Sequence, residues 1–297
     1  MNKKNRLKRL KITVLAEDSV GYDTPYLGQH GISFLLTCER EGDVRNVLVD
    51  VAQHPDALIE NVKRMQINLS CIDAVVLTHC HYDHTRGVAK ILREIGKNDI
   101  PVIAHPDIFR AHFISDPCLR PIGVMDGDRR ADIESSGGSL FLAGNELEIM
   151  PGLISTGEVE RLTDFEKIKM NLFTIEKGQV KNDVMKDDIS VVANVEGRGL
   201  IIVTGCSHSG IVNITRQSIK LTGTKKIHGI IGGLHLIDAS EERIKKTTGA
   251  LKKLNPDWVC AGHCTGFRAQ VALYNVFKDR FSPLCTGMVM ETESREK

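Results

Sequence analysis

Aromatic rings are scarce in this chain, at 5% of 297 residues with one tryptophan. A ligand held by ring stacking would find few partners, among them Tyr22, Tyr26, Phe113 and Trp258. Long apolar runs are missing too: nowhere do eighteen apolar residues follow one another, so no membrane-spanning helix is expected. The basic start carries Lys3, Lys4, Arg6, Lys8, Arg9 and Lys11, but the apolar stretch behind it, residues 12–16, ends at Glu17 and Asp18. That is too short for a secretory signal, and the segment reads as a solvated end leading into a first strand. Net charge is also lacking. Lysine and arginine number 39 against 38 acids, a balance of +1, which offers no field to gather nucleic acid or an anionic membrane. The eight cysteines include no CxxC pair, which argues against a structural zinc finger. Without a signal they read as reduced thiols of a cytoplasmic protein rather than as disulfides.

What is present is the pattern of an α/β protein. Short β-branched runs at residues 12–16, 32–37, 47–51 and 74–78 predict strands, and apolar spacing at 55–65 and 85–95 predicts helices. A second series predicts strands at 140–142, 147–150, 189–195, 200–204, 226–231 and 258–261, with helices at 210–221, 240–254 and 267–277. Two β-rich halves with helices outside predict a four-layer αβ/βα sandwich, two mixed sheets flanked by helices, as one domain over residues 1–297. Segments 116–138 and 156–188 are polar and poorly periodic, and read as loop insertions of the kind that carry substrate contacts.

The chemistry is concentrated in His79-Cys80-His81-Tyr82-Asp83-His84, directly after the apolar run at 74–78. Three histidines and an aspartate in six residues at a strand end are hard to explain by packing. His79 and His81 point the same way if the chain stays extended, and Asp83 and His84 face a second position as it turns into a helix. Imidazole and carboxylate donors suit zinc, manganese or iron. Three further strands end in a Gly-bearing turn with a histidine at its tip: His208, His235 and His263. Ligands fed from the carboxyl ends of strands into one crevice are the usual geometry of α/β sites. His54, His105, His112 and His228 have no such setting and read as structural or exposed, while His30 reads as a pocket or a surface residue.

The set His79, His81, Asp83, His84 resembles the HxHxDH motif of the metallo-β-lactamase superfamily. The strand ending in Asp50 and the strand before His263 resemble its first and last motifs, so the likeness runs along nearly the whole chain. More narrowly, Gly157-Glu158-Val159-Glu160-Arg161, the run from Thr204 through Cys206, Ser207, His208 and Ser209 to Asn213, Gly232-Gly233-Leu234-His235-Leu236 and His263-Cys264-Thr265-Gly266 resemble one branch. That branch is described as related to the synthase of dihydropterin-ribofuranosylaminobenzene 5′-phosphate in methanopterin biosynthesis. Two departures stand out. The Gly-His-Thr turn of many members reads Gly157-Glu158-Val159, and Cys206 stands where they carry a bridging aspartate.

The resemblance implies two divalent metal ions, zinc first and manganese or iron as alternatives, held by His79, His81, Asp83, His84 and His263; with the Gly-His-Thr turn missing, His208, two residues beyond Cys206, is the best available donor to complete the first position. Cys206 reads first as a small buried residue in a tight turn, with ligation the alternative. Asp83 and His235 are expected in catalysis, with His235 and Glu158 each open as a further ligand. Glu158, Arg161, Ser207 and Ser209, with Lys167 and the amides opening the helix at 210–221, are expected to receive an anionic group of a phosphorylated small molecule. The leading expectation is a hydrolase, with metal-activated hydroxide attacking a phosphoester. One alternative is a transferase condensing a dihydropterin diphosphate with a ribofuranosylaminobenzene phosphate; the others are a di-iron redox protein and a non-catalytic metal binder. A fused flavin domain, which the redox members carry, would have no room after Phe277. Neither nucleic acid nor membrane is expected as a partner, and pairing with a second copy is left open.

Overall fold

The computed structural model describes residues 6–168 and 171–295. The first half runs through β1 (Arg9–Ala16), β2 (Ser33–Arg40), β3 (Asp43–Val49), α1 (Pro55–Arg64), β4 (Ala74–Val76), α2 (Tyr82–Thr85), α3 (Val88–Ile95), β5 (Ile100–Ala104), β6 (His112–Ile114), β7 (Arg120–Pro121), α4 (Arg130–Ser135) and β8 (Gly138–Leu142). The second half runs through β9 (Leu147–Met150), β10 (Leu153–Ser155), β11 (Leu172–Glu176), β12 (Gln179–Asn182), β13 (Ser190–Val195), β14 (Gly199–Thr204), α5 (Ile211–Thr222), β15 (Ile227–Gly233), α6 (Glu241–Leu254), β16 (Trp258–Gly262), α7 (Phe267–Phe277), β17 (Phe281–Pro283) and β18 (Val289–Glu293). Of the basic start, Lys3 and Lys4 lie outside the described residues. Arg9 and Lys11 belong to β1, where Arg9 meets the carboxylates of Glu39, Glu291 and Glu293.

Period-two alternation sorts the strand residues into layers. In β2, Phe34 and Leu36 face the partner sheet, whereas Leu35 faces the outer helices. In β3, Val47 and Val49 face inward and Leu48 outward; in β14, Ile201 and Val203 face inward and Leu200 and Ile202 outward. One sheet has the order β18-β1-β2-β3-β4-β5-β8 and the other β17-β16-β15-β14-β13-β10-β9. Both are mixed: β3-β4-β5-β8 and β14-β15-β16-β17 run parallel, the remainder antiparallel. Helices α1 and α3 cover the first sheet and α5, α6 and α7 the second, which completes the expected four-layer sandwich.

The segments expected as loop insertions contain regular structure. Together with β6 they form a small antiparallel sheet of order β12-β11-β6-β7, and α4 lies in the first of them. These strands have two to five residues, too short to print a periodicity. The helix expected from residue 85 starts at Val88, because Gly87 in the left-handed region (φ 88°) separates it from the single turn α2.

Candidate metal centre

The parallel strands β4, β14, β15 and β16 deliver their carboxyl ends to one crevice. Asp50, just past β3, organises the segment after β4. Its carboxylate accepts the Thr78 N–H (2.7 Å), the Thr78 hydroxyl (2.7 Å) and the Nδ1 side of His84 (2.7 Å). A carboxylate on one imidazole nitrogen leaves the other as a lone-pair donor. His84 Nε2 is that donor.

Two sets of donors converge. In the first, His81 Nδ1 lies 3.2 Å from His79 Nε2 and 3.2 Å from His208 Nε2. Nitrogens bound at about 2.1 Å to one tetrahedral ion lie about 3.4 Å apart, so this spacing fits a shared cation. Burial pushes all three imidazoles well below their usual range, which keeps them neutral donors. In the second set, Asp83 Oδ2 lies 3.4 Å from His84 Nε2 and 3.2 Å from His263 Nε2. His263 Nε2 is buried yet makes no hydrogen bond, an orphan that a cation would satisfy. Its other nitrogen meets Asp18 Oδ2 at 2.6 Å, and its backbone N–H donates to Glu17 Oε1 at 2.5 Å. His30 joins from the rim, with Nδ1 3.0 Å from Asp18 and Nε2 3.5 Å from Asp83.

Cys206 stands between the sets. Its sulfur is 3.2 Å from His84 Nε2 and comes within a ligand sphere of Asp83, His84 and His263 on one side and of His79 and His208 on the other. The small residue in a tight turn thus also turns its sulfur toward both positions. These residues form a candidate divalent-metal centre of nitrogen, oxygen and sulfur donors. His235 packs beside it, its ring centroid 4.1 Å from that of His208, with both ring nitrogens buried and unpartnered. The crevice outside has a volume of about 250 Å³; its walls are Tyr82, Ile114, Ile122 and Ile237, and Arg120 sits on it.

Five side chains expected as substrate contacts are not brought there. The Ser207 hydroxyl bonds Gly233 O at 2.7 Å and Thr204 at 2.8 Å, holding the turn. The N–H and hydroxyl of Ser209 both go to Asp188. Arg161 spends its guanidinium on the carbonyls of His208, Val184 and Met185, and with Glu158 lines a separate depression. Lys167 is exposed elsewhere. The start of α5 is not open to an anion either, because the Glu166 carboxylate accepts from Val212 N (2.9 Å) and Asn213 N (3.1 Å). Nor do the expected aromatics reach the crevice: Tyr22 is fully exposed, Phe113 stacks on Phe173, and Trp258 lies in β16. Tyr82, inside the histidine motif, is the ring on its wall.

Of the histidines read as structural or exposed, His112 is buried and structural, and it reaches the centre from outside. Its Nε2 is 2.9 Å from His81 Nε2 and its Nδ1 2.7 Å from Asp183. Asp18 and Asp183 escape a sequence reading because neither belongs to a local motif; each meets its histidines only through the fold.

Residues 45–143 match the family model described as the beta-lactamase superfamily domain. A solved metal-dependent hydrolase of the beta-lactamase superfamily is 22% identical, with a TM-score of 0.80 over 96% of this chain and 100% of that one. A metallo-beta-lactamase fold protein from Bacillus subtilis superposes with a TM-score of 0.57 at 14% identity, over 96% of this chain and 100% of its own. These likenesses speak for the fold. The 7,8-dihydropterin-6-methyl-4-(beta-D-ribofuranosyl)-aminobenzene-5′-phosphate synthase of Methanocaldococcus jannaschii is 41% identical over 96% of this chain and 98% of that protein. An uncharacterized protein of the same organism is 30% identical over 84% of this chain and 88% of its own. The named relative is a synthase, which overturns the leading expectation of a hydrolase: donors of this kind polarise a leaving group as well as water, and the motif alone does not choose between them. The chain belongs to the beta-lactamase superfamily and, within it, to the family of the 7,8-dihydropterin-6-methyl-4-(beta-D-ribofuranosyl)-aminobenzene-5′-phosphate synthase.

Proposed function

We propose that this chain is a transferase that joins a dihydropterin diphosphate to the amine of a ribofuranosylaminobenzene 5′-phosphate. The C–N bond forms as the C–O bond to the diphosphate breaks; pyrophosphate leaves, and the amine gives up one proton. The observation that carries this reading is the 41% identity to a synthase along 96% of the chain, insertions included. We assign two ions to the centre, one to His79, His81 and His208 and the other to Asp83, His84 and His263, with Cys206 between them. Zinc is the first choice for a nitrogen, oxygen and sulfur donor set, manganese and iron the alternatives. When bound, such ions supply Lewis acidity toward the diphosphate oxygens.

The chain's own groups do the rest. His235, an imidazole without a partner at the crevice wall, takes the proton of the attacking amine. Asp83 holds its metal position and, steadied by His84 and His263, orients the incoming group. Tyr82, Ile114, Ile122 and Ile237 pack against the rings and exclude water. Among the described residues Arg120 is the one lysine or arginine on the crevice, so we give it the phosphate contact first expected of Arg161. This reading places one domain, residues 1–297, in the cytoplasm acting on small molecules; no described helix is long and apolar enough to cross a membrane.

The test is to mix zinc-loaded protein with both substrates and follow the joined product by mass and pyrophosphate by a coupled assay. Product and pyrophosphate should appear one to one, and His235→Ala should lower turnover by about 10²–10⁴-fold with zinc content unchanged. Loss of the diphosphate to water, with no joined product while the amine is present, would overturn the assignment.

A further inference from the structure

His81 must offer a lone pair on Nδ1 to join His79 and His208, so its single proton must sit on Nε2. Something has to accept that proton, because the imidazole is buried. The acceptor is His112, whose Nε2 lies 2.9 Å away. His112 can accept there only if its own proton is on Nδ1, and Nδ1 faces Asp183 Oδ2 at 2.7 Å. Asp183 is held as an acceptor. Burial works to raise its pKa, but His112 and Arg110 hold it well below the usual carboxylate range, the Arg110 Nε lying 2.5 Å from the same oxygen. Arg110 also reaches Asp187 at 2.8 Å, and Asp187 accepts the Cys80 N–H at 2.7 Å, inside the histidine motif.

We propose that Asp183 and His112 are positioning residues that fix the proton of His81 on Nε2, and so set the metal affinity of the His79, His81 and His208 position. The small sheet supplies them: His112 opens β6 and Asp183 follows β12. The same sheet carries Ile114 and Arg120 to the crevice. The insertion therefore sets the ligand as well as the substrate wall. This inference is independent of the reaction assigned to the centre, since it concerns only how a donor is held.

The experiment measures metal affinity rather than turnover. Zinc-free wild type, His112→Ala, His112→Gln and Asp183→Asn are titrated with zinc against a competing chelator, and the fold of each zinc-free protein is compared by circular dichroism. Loss of an outer partner of a metal-bound histidine typically costs about 10–100-fold in affinity. We expect that loss, at one of the two positions only, in His112→Ala and in Asp183→Asn, whose amide can donate to His112 Nδ1 and reverse the proton order. His112→Gln keeps an acceptor for His81 and should stay within about threefold of wild type. Wild-type affinity in both His112→Ala and Asp183→Asn would overturn the proposal. So would a His112→Gln protein that folds normally yet binds as weakly as His112→Ala, since only packing would then explain the loss. If His112→Ala does not fold, the contrast between His112→Gln and Asp183→Asn decides alone.

Discussion

At the scale of single residues, Glu17 links the end of β1 to the last metal-side turn. Burial pushes its carboxyl up to about 7, against the downward pull of N–H bonds from Ser19 and His263. The folded chain therefore holds this proton more tightly than the unfolded chain does, where the ordinary value is near 4.5. The stability so gained is complete below about pH 4.5 and is lost as pH rises through about 7. In denaturant titrations of metal-free protein between pH 5 and 8, the advantage of wild type over Glu17→Ala should shrink with rising pH. At about 1.4 kcal/mol per unit, the change should approach 2–3 kcal/mol. A difference independent of pH would refute this account. Residues of this kind were invisible in the sequence. His79 to His84 were legible because six consecutive positions carry the whole signal, and His208 and His263 because each follows a strand and a glycine. Glu17, Asp18, His112 and Asp183 act across the fold, from strand ends and insertions that share no spacing with the motif. Ser207 and Ser209 misled for the converse reason: the start of α5 had the composition of an anion site, but Gly233 and Asp188 take the two hydroxyls and a distant Glu166 takes the helix amides.

At the scale of elements, the strands were legible wherever both faces are apolar, as in β4 and β14, and their layer assignment follows from alternation alone. The edge strands were not: β18 reads Val-Met-Glu-Thr-Glu and is held by pairing with β1 rather than by its own pattern. Connections matter more to the site than edges do. Gly31, just before β2, adopts φ 104°, and a Cβ there would lie 1.8 Å from the Asp83 carbonyl oxygen. Neither the backbone conformation nor the space admits a side chain. Gly31→Ala must displace the segment bearing Asp83, so we expect at least about a tenfold loss of both zinc affinity and turnover. Chelator competition and steady-state rates check this; wild-type values for both would show that the two segments move freely past one another.

At the scale of the whole molecule, the centre is shared between sheets. His79, His81, Asp83 and His84 follow β4 of the first sheet, while Cys206, His208 and His263 follow β14 and β16 of the second. Ions bound there would tie the two sheets together and stabilise only the folded chain. At a thousand times the dissociation constant one ion contributes about 4 kcal/mol. A chain of this size gains about 2–4 °C per kcal/mol, so chelation should lower the midpoint of thermal unfolding by on the order of 10 °C, with recovery on adding zinc back. Calorimetry measures it directly, and an unchanged midpoint would mean that no ion bridges the sheets.

The cysteine between the two sets of donors would give a cobalt-loaded centre a spectroscopic signature that an aspartate in that place would not. Cobalt put in place of zinc would, with the thiolate as ligand, show strong near-ultraviolet sulfur-to-metal charge transfer, and a soft ion such as cadmium would be favoured over manganese. A carboxylate in that place would offer no such readout, so the cobalt spectrum tells directly whether Cys206 is a ligand.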